Sequence, residues 1–240
     1  MKKPYYLAYE DRYQKVYAAG VEYWGHSSDD EILCATLEKW VEENNLGGKK
    51  IIDFACGEGA CGMILSKLGC LYHGVDIAPS AVKKAKERLY QFPDAKVCLL
   101  DMVKESAPDC YDAALDCMGL HMLVADGERA AYLKNAFGCL KSGAPMLFFR
   151  QCHGEDAFDG AVRSYKHWEE ICGSDYKTPS LRREDKSGKE VLIPLVPARA
   201  KSKEGYIKEL QNAGFIVEKF IKMETNSANP YSASIFVRKP

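Results

Sequence analysis

The segment Ile51-Ile52-Asp53-Phe54-Ala55-Cys56-Gly57-Glu58-Gly59 constrains this chain more than any other. The apolar run after Lys49-Lys50 predicts a short buried strand. The strand carries an acid near its end and breaks into a glycine turn. Gly57 and Gly59 admit backbone angles, and a close ligand approach, that side chains would block. The helix expected next offers free N–H groups to a ligand of nucleotide type.

Two ligands fit these glycines. Gly57-Glu58-Gly59-Ala60-Cys61-Gly62 satisfies G-x-G-x-x-G, the dinucleotide fingerprint. Asp53 discriminates between them. A carboxylate beside the turn repels a pyrophosphate, but it suits S-adenosylmethionine (SAM), which carries a sulfonium and an ammonium and no phosphate. The spacing D-x-x-x-G-x-G resembles motif I of the class I SAM-dependent methyltransferases, with Ala55 where that family usually has glycine. The resemblance implies that Asp53, Ala55, Cys56, Gly57 and Gly59 hold SAM, with S-adenosylhomocysteine as the product.

Further landmarks follow in order. Leu71 to Asp76 reads as a second strand, and Asp76 lies at the distance expected of a carboxylate that grips ribose hydroxyls. Ile77 follows it, and Pro79 and Ser80 open a helix over residues 81–90. Lys96 to Leu100 reads as a third strand ending at Asp101, and Tyr111 to Asp116 as a fourth. Leu140-Lys141-Ser142-Gly143-Ala144-Pro145 is similar to the family's "LKPGG" turn into a fifth strand. By resemblance, Asp101 and Met102 meet the adenine, Ile77 lies beside it, and Asp116 and Cys117 flank the methionine end. Each acid has an alternative reading as the cap of the next helix. The series as a whole implies a Rossmann-like α/β fold. Its seven-stranded mixed sheet would have the order 3-2-1-4-5-7-6, with helices on both faces, an N-terminal helical cap and an insertion after strand five.

The chain has 240 residues, enough for one domain with additions. The net charge of −1 gives no general pull toward nucleic acid or anionic membrane. Neither a signal peptide nor a membrane span is evident. The ten cysteines are scattered without a C-x-x-C pair, which points to reduced thiols in a cytoplasmic protein and to no metal site.

The expected organisation is a single methyltransferase domain over residues 1–240. Residues 1–47 form a cap, 48–150 the SAM-binding core, 151–201 a substrate lid, and 202–240 a closing helix and hairpin. Tyr6, Tyr9, Tyr13 and Tyr17 recur at helical spacing on one face, read here as packing against the domain. Ser28 and Glu31 suggest a capping box for a helix to about Asn44. In the family such N-terminal helices cover the cofactor, so Trp24 is a candidate cofactor contact. A helix over residues 159–172 and a hairpin around Lys186-Ser187-Gly188 are expected in the lid.

Methyl transfer is an in-line displacement in which the protein aligns the reactants and excludes water. An alcohol or amine acceptor also needs a base. His121, just past the fourth strand, and His153, past the fifth, are the candidates, each with an alternative structural role. Arg150, Arg163, Arg182, Arg183 and Arg199 fall in or beside the lid, either as anion contacts or as surface charges. The chain lacks the N/D-P-P-Y motif of base-directed amino methyltransferases, which leaves a small-molecule acceptor as the leading partner class. The competing readings are an NAD-linked oxidoreductase and a non-catalytic SAM-binding module. Oligomeric state is not legible.

Overall fold

The computed structural model describes residues 4–21, 26–173, 179–183, 190–194, 197–224 and 231–240. A 3-10 turn, Tyr5–Leu7, leads into α1 (Ala8–Ala18), and α2 spans Glu31–Glu43. The alternating core follows: β1 (Lys50–Phe54), α3 (Ala60–Lys67), β2 (Leu71–Asp76), α4 (Pro79–Arg88), β3 (Lys96–Leu99), β4 (Ala113–Cys117), α5 (Asp126–Gly138) and β5 (Pro145–Cys152). The remainder is α6 (Tyr165–Cys172), a hairpin of β6 (Pro179–Arg183) and β7 (Glu190–Pro194), then α7 (Lys203–Asn212), β8 (Ile216–Glu224) and β9 (Tyr231–Arg238).

Seven strands form one sheet in the order β3-β2-β1-β4-β5-β9-β8. The first five are parallel, while β9 is antiparallel to β5 and to β8. This is the expected order, with β6–β7 set apart as a separate two-stranded sheet between α6 and α7. Strand alternation divides the core in two. Ile52, Phe54 and Phe148 pack with Tyr132, Leu133, Tyr206 and Leu210 of α5 and α7. Ile51, Leu115 and Phe149 face the opposite way, onto Leu33, Leu37 and Trp40 of α2 and onto α3 and α4.

Two fully buried arginines fasten the later elements. Arg129 forks onto Glu209 at 2.7 and 2.6 Å and donates to the carbonyls of Leu120 and Leu123. Arg199 bonds Asp126 at 2.6 Å and the carbonyls of Val124 and Gly160. Those bonds explain why α6 starts at residue 165 and not at 159. Gly160 and Val162 are drawn into backbone contacts with Arg199 and Asp126, and Ser164 caps the helix by accepting from His167 N–H. Likewise Asp30, not Ser28, caps α2, accepting from Leu33 N–H at 3.0 Å.

Candidate cofactor and methyl-transfer site

Among the described residues, three of the four non-glycine residues with positive φ lie at or near strand C-terminal ends: Ala55 (+54°) after β1, Met118 (+65°) after β4 and Arg150 (+51°) in β5. Strain of this kind gathers where a backbone is held for a ligand. Ala55 occupies a left-handed position that suits glycine, which accounts for the family's preference there. Gly57 (+52°) and Gly59 (+85°) complete the turn, and Gly59 caps α3.

Asp76 organises this turn. One carboxylate oxygen accepts from Gly57 N–H and the other from Ala78 N–H, both at 2.8 Å. Burial, partly offset by these bonds, raises its pKa to about 6. A carboxylate has about four acceptor sites, so two backbone bonds leave room for ligand hydroxyls. Asp101 accepts from the Tyr6 hydroxyl at 3.1 Å and pairs with Lys104 at 3.0 Å. The Met102 carbonyl accepts from Asn135 at 2.9 Å.

The tyrosine stripe of the N-terminus lies across this site. Tyr6, Tyr9 and Tyr13 form one wall of a cavity of about 60 Å³ whose other walls include Ala55, Asp76, Ile77, Asp101, Met102 and Met122. A Cβ at Gly57 would lie 2.9 Å from the Tyr13 hydroxyl. Tyr17 donates to Glu58 at 2.8 Å, and Glu10 accepts from the hydroxyl and N–H of Ser80 at 2.6 and 3.0 Å. The sequence reading took this stripe for packing. The spacing revealed the shared face but not what the face meets. The cavity is well below the ~300–1,000 Å³ of small-molecule sites.

Asp53 is fully buried, with Oδ2 accepting from the Tyr72 hydroxyl at 2.7 Å. Its Oδ1 is buried with no hydrogen-bond partner. Burial pushes its pKa well above the carboxylate range. Asp116, on the neighbouring strand, departs from the sequence expectation. Its carboxylate is fully buried and accepts from Tyr132 Oη (2.5 Å), Gly119 N–H (2.6 Å), Leu120 N–H (3.2 Å) and Gln151 Nε2 (2.8 Å). It is committed to the fold, because strand alternation turns it toward α5.

Cys117 points to the other face. A hydrogen bond from the Cys61 thiol, with His26 and Arg150 nearby and against the effect of burial, lowers its pKa to about 5. His26 is a residue the sequence reading missed. Its Nε2 lies 2.9 Å from Met118 Sδ and its Nδ1 3.2 Å from Asp30 Oδ2. Burial lowers its pKa, but the charge of Cys117 and the bond to Asp30 outweigh that and carry it to about 9. Its only sequence signal was its place just before the start of α2. Arg150 donates to Asp30 at 2.6 and 3.1 Å, and its Nη1 lies 2.9 Å from His26 Nδ1. It anchors α2 and is not held out as an anion contact.

The two candidate bases lie away from the cavity walls. His121 is buried, with Nδ1 at 3.2 Å from Gln151 Oε1 and 3.3 Å from Cys152 N, and burial lowers its pKa to about 4. His153 is buried too, with Nδ1 at 3.0 Å from the Lys201 carbonyl and its ring edge-on to Phe220. Arg199 is spent on the fold, Arg163 is exposed, and Trp24 and the side chains of Arg182 and Arg183 fall outside the described residues. Among the described residues no group of three or more metal-ligating side chains converges. No helix among them is long and apolar enough to cross a membrane.

Residues 51–143 match the family model described as "Methyltransferase domain". The chain is 28% identical over 147 residues to a ribosomal protein L11 methyltransferase of Xylella fastidiosa, covering 61% of this chain and 45% of that one. The chain spans about half the length of the curated relatives it matches. Among solved structures it resembles a SAM-dependent methyltransferase of Clostridium acetobutylicum (TM-score 0.65, 15% identity, 98% of both chains). It also resembles the 1,6-didemethyltoxoflavin-N1-methyltransferase of Burkholderia thailandensis (TM-score 0.66, 13% identity, 100% of this chain and 91% of that one). Residues 51–143 thus match a methyltransferase domain, and the strand order is that of the Rossmann-like fold of the SAM-dependent methyltransferases it resembles.

Proposed function

We propose that this protein transfers the methyl group of SAM to a small organic acceptor. The observation that carries the reading is Asp53 Oδ1, a fully buried acceptor with no partner of its own at the glycine turn. An oxygen in that state costs stability unless a donor reaches it, and the ammonium of SAM is such a donor. The glycine cradle and the two backbone bonds on Asp76 support the same assignment.

In this reading Asp76 receives the ribose hydroxyls, and Ile77, Asp101 and Met102 border the adenine. Ala55, Cys56, Gly57 and Gly59 supply the close-approaching backbone. Asp53 and Cys117 place negative charge at the methionine end. When bound, SAM supplies an electrophilic methyl group. The chain's own residues orient the acceptor and exclude water, with the tyrosine wall of α1 closing the site. His121 and Gln151 hold the end of β4 to β5 and act as positioning residues. The candidate acceptor side is bounded by His26 and Met118.

Calorimetric titration with SAM and S-adenosylhomocysteine, with NADH as control, tests the cofactor assignment. Transfer of labelled methyl from SAM to pooled O-, N- and S-nucleophiles tests the reaction. NADH binding in place of SAM would overturn the reading. Label that appears only in added protein would favour the competing reading, a protein acceptor, which the 28% identity to a ribosomal-protein methyltransferase raises.

A further inference from the structure

A groove lined by α2 and the last two strands lies away from the cofactor site. It has a volume of about 700 Å³ and runs between the outward face of α2 and the last two strands. Helices α5 and α7 cover the opposite face of this part of the sheet. On the α2 side, Ile221 and Phe236 form an apolar floor, and Ile32 stands on the rim at 51% exposure. Sheets of this kind bury both faces, so an apolar floor left in solvent marks a contact surface.

The charges on the groove identify what fits it. Glu31, Glu43 and Glu218 are matched in number by Lys39, Lys219 and Arg238. A neutral rim of alternating sign gives no purchase to nucleic acid or an anionic membrane. It does suit a surface that meets itself, because a two-fold interface must be complementary to its own pattern. The sequence of α2 has that property. Glu31, Ala35 and Lys39 follow at intervals of four on one exposed ridge. An antiparallel crossing of two such helices centred on Ala35 puts each Glu31 opposite the other copy's Lys39. The small side chain at the centre lets the helices approach closely.

We propose that α2 and the last two strands bind a second copy of this chain about a two-fold axis at Ala35. Ile32 of each copy then lies over the apolar floor of the other.

Sedimentation equilibrium of the full chain, across a range of concentrations, reads this directly. Wild type is expected at twice the monomer mass. Ile32→Asp should give a monomer, and because Ile32 is half exposed the fold should survive, with unchanged SAM affinity as the check. Lys39→Glu sets two glutamates against each other at both ends of the crossing and should weaken association by about tenfold or more. Combining it with Glu31→Lys should restore the dimer. A monomeric wild type, or a dimer indifferent to Ile32→Asp, would overturn the proposal. Failure of the double swap to restore association would overturn the crossing at Ala35.

Discussion

The ends of β1 and β4 are neighbours in the sheet, and each carries a fully buried aspartate. Asp116 accepts bonds from Tyr132, Gly119, Leu120 and Gln151. Asp53 accepts from Tyr72 and leaves one oxygen bare. The same residue type, at the same depth and at adjacent strand ends, thus serves two purposes. The Asp116 carboxylate is saturated by the fold, and Asp53 Oδ1 is the open acceptor that the proposed function assigns to the cofactor's ammonium. The bonds, not the burial, tell them apart.

The sharpest way to break the comparison is to remove the saturated acid. Asp116→Ala strands several buried donors at about 1–3 kcal/mol each, so a loss of about 3–5 kcal/mol is expected from urea unfolding. A loss below about 1 kcal/mol would mean that the network is ornamental. Asp53→Asn keeps an acceptor for Tyr72 and should leave the unfolding midpoint nearly unchanged. Titration calorimetry should nevertheless show SAM binding weakened by about 10–100-fold, the worth of a hydrogen bond to a charged group.

The third test is pH. Asp76 and Asp116 have folded pKa values near 6, above the ordinary 3.8, because burial penalises their charge. The folded chain therefore holds protons that the unfolded chain has released. The stability these groups contribute is full below about pH 4 and is lost as the pH rises through about 6. SAM affinity should run the opposite way, since ionised Asp76 is the better acceptor for ribose hydroxyls. A rise of about tenfold between about pH 5 and pH 7 is expected, flattened in Asp76→Asn. The smallest effect is that of Tyr17→Phe, which removes the bond to Glu58 and should cost about 0.5–1.5 kcal/mol in thermal or urea unfolding.

The contrast between the two acids also marks the limit of what the sequence reveals. The strands, their order and the glycine turn were legible, because apolar runs and turn residues are local signals. Which acid was saturated was not. Asp53 stands opposite Leu115, so Asp53 and Asp116 face opposite sides of the sheet, and that depends on a register between segments far apart in the chain. The partners of His121 were hidden for a similar reason, because Gln151 and Cys152 reach it from another strand. His26 was overlooked because its partners, Met118 and Arg150, also come from distant strands. The tyrosine stripe was seen, but its target was not.

That stripe has a consequence for how the chain is made. Tyr6 meets Asp101, Glu10 meets Ser80, Tyr5 meets Glu128 and Tyr9 donates to the Pro197 carbonyl. The segment that carries the stripe therefore cannot settle until the chain as far as Pro197 has followed it. Contacts of such long sequence separation form late. The cofactor cleft is thus assembled floor first and wall last. A nascent chain carries an open cleft until those distant partners have been made, and only then gains its tyrosine wall.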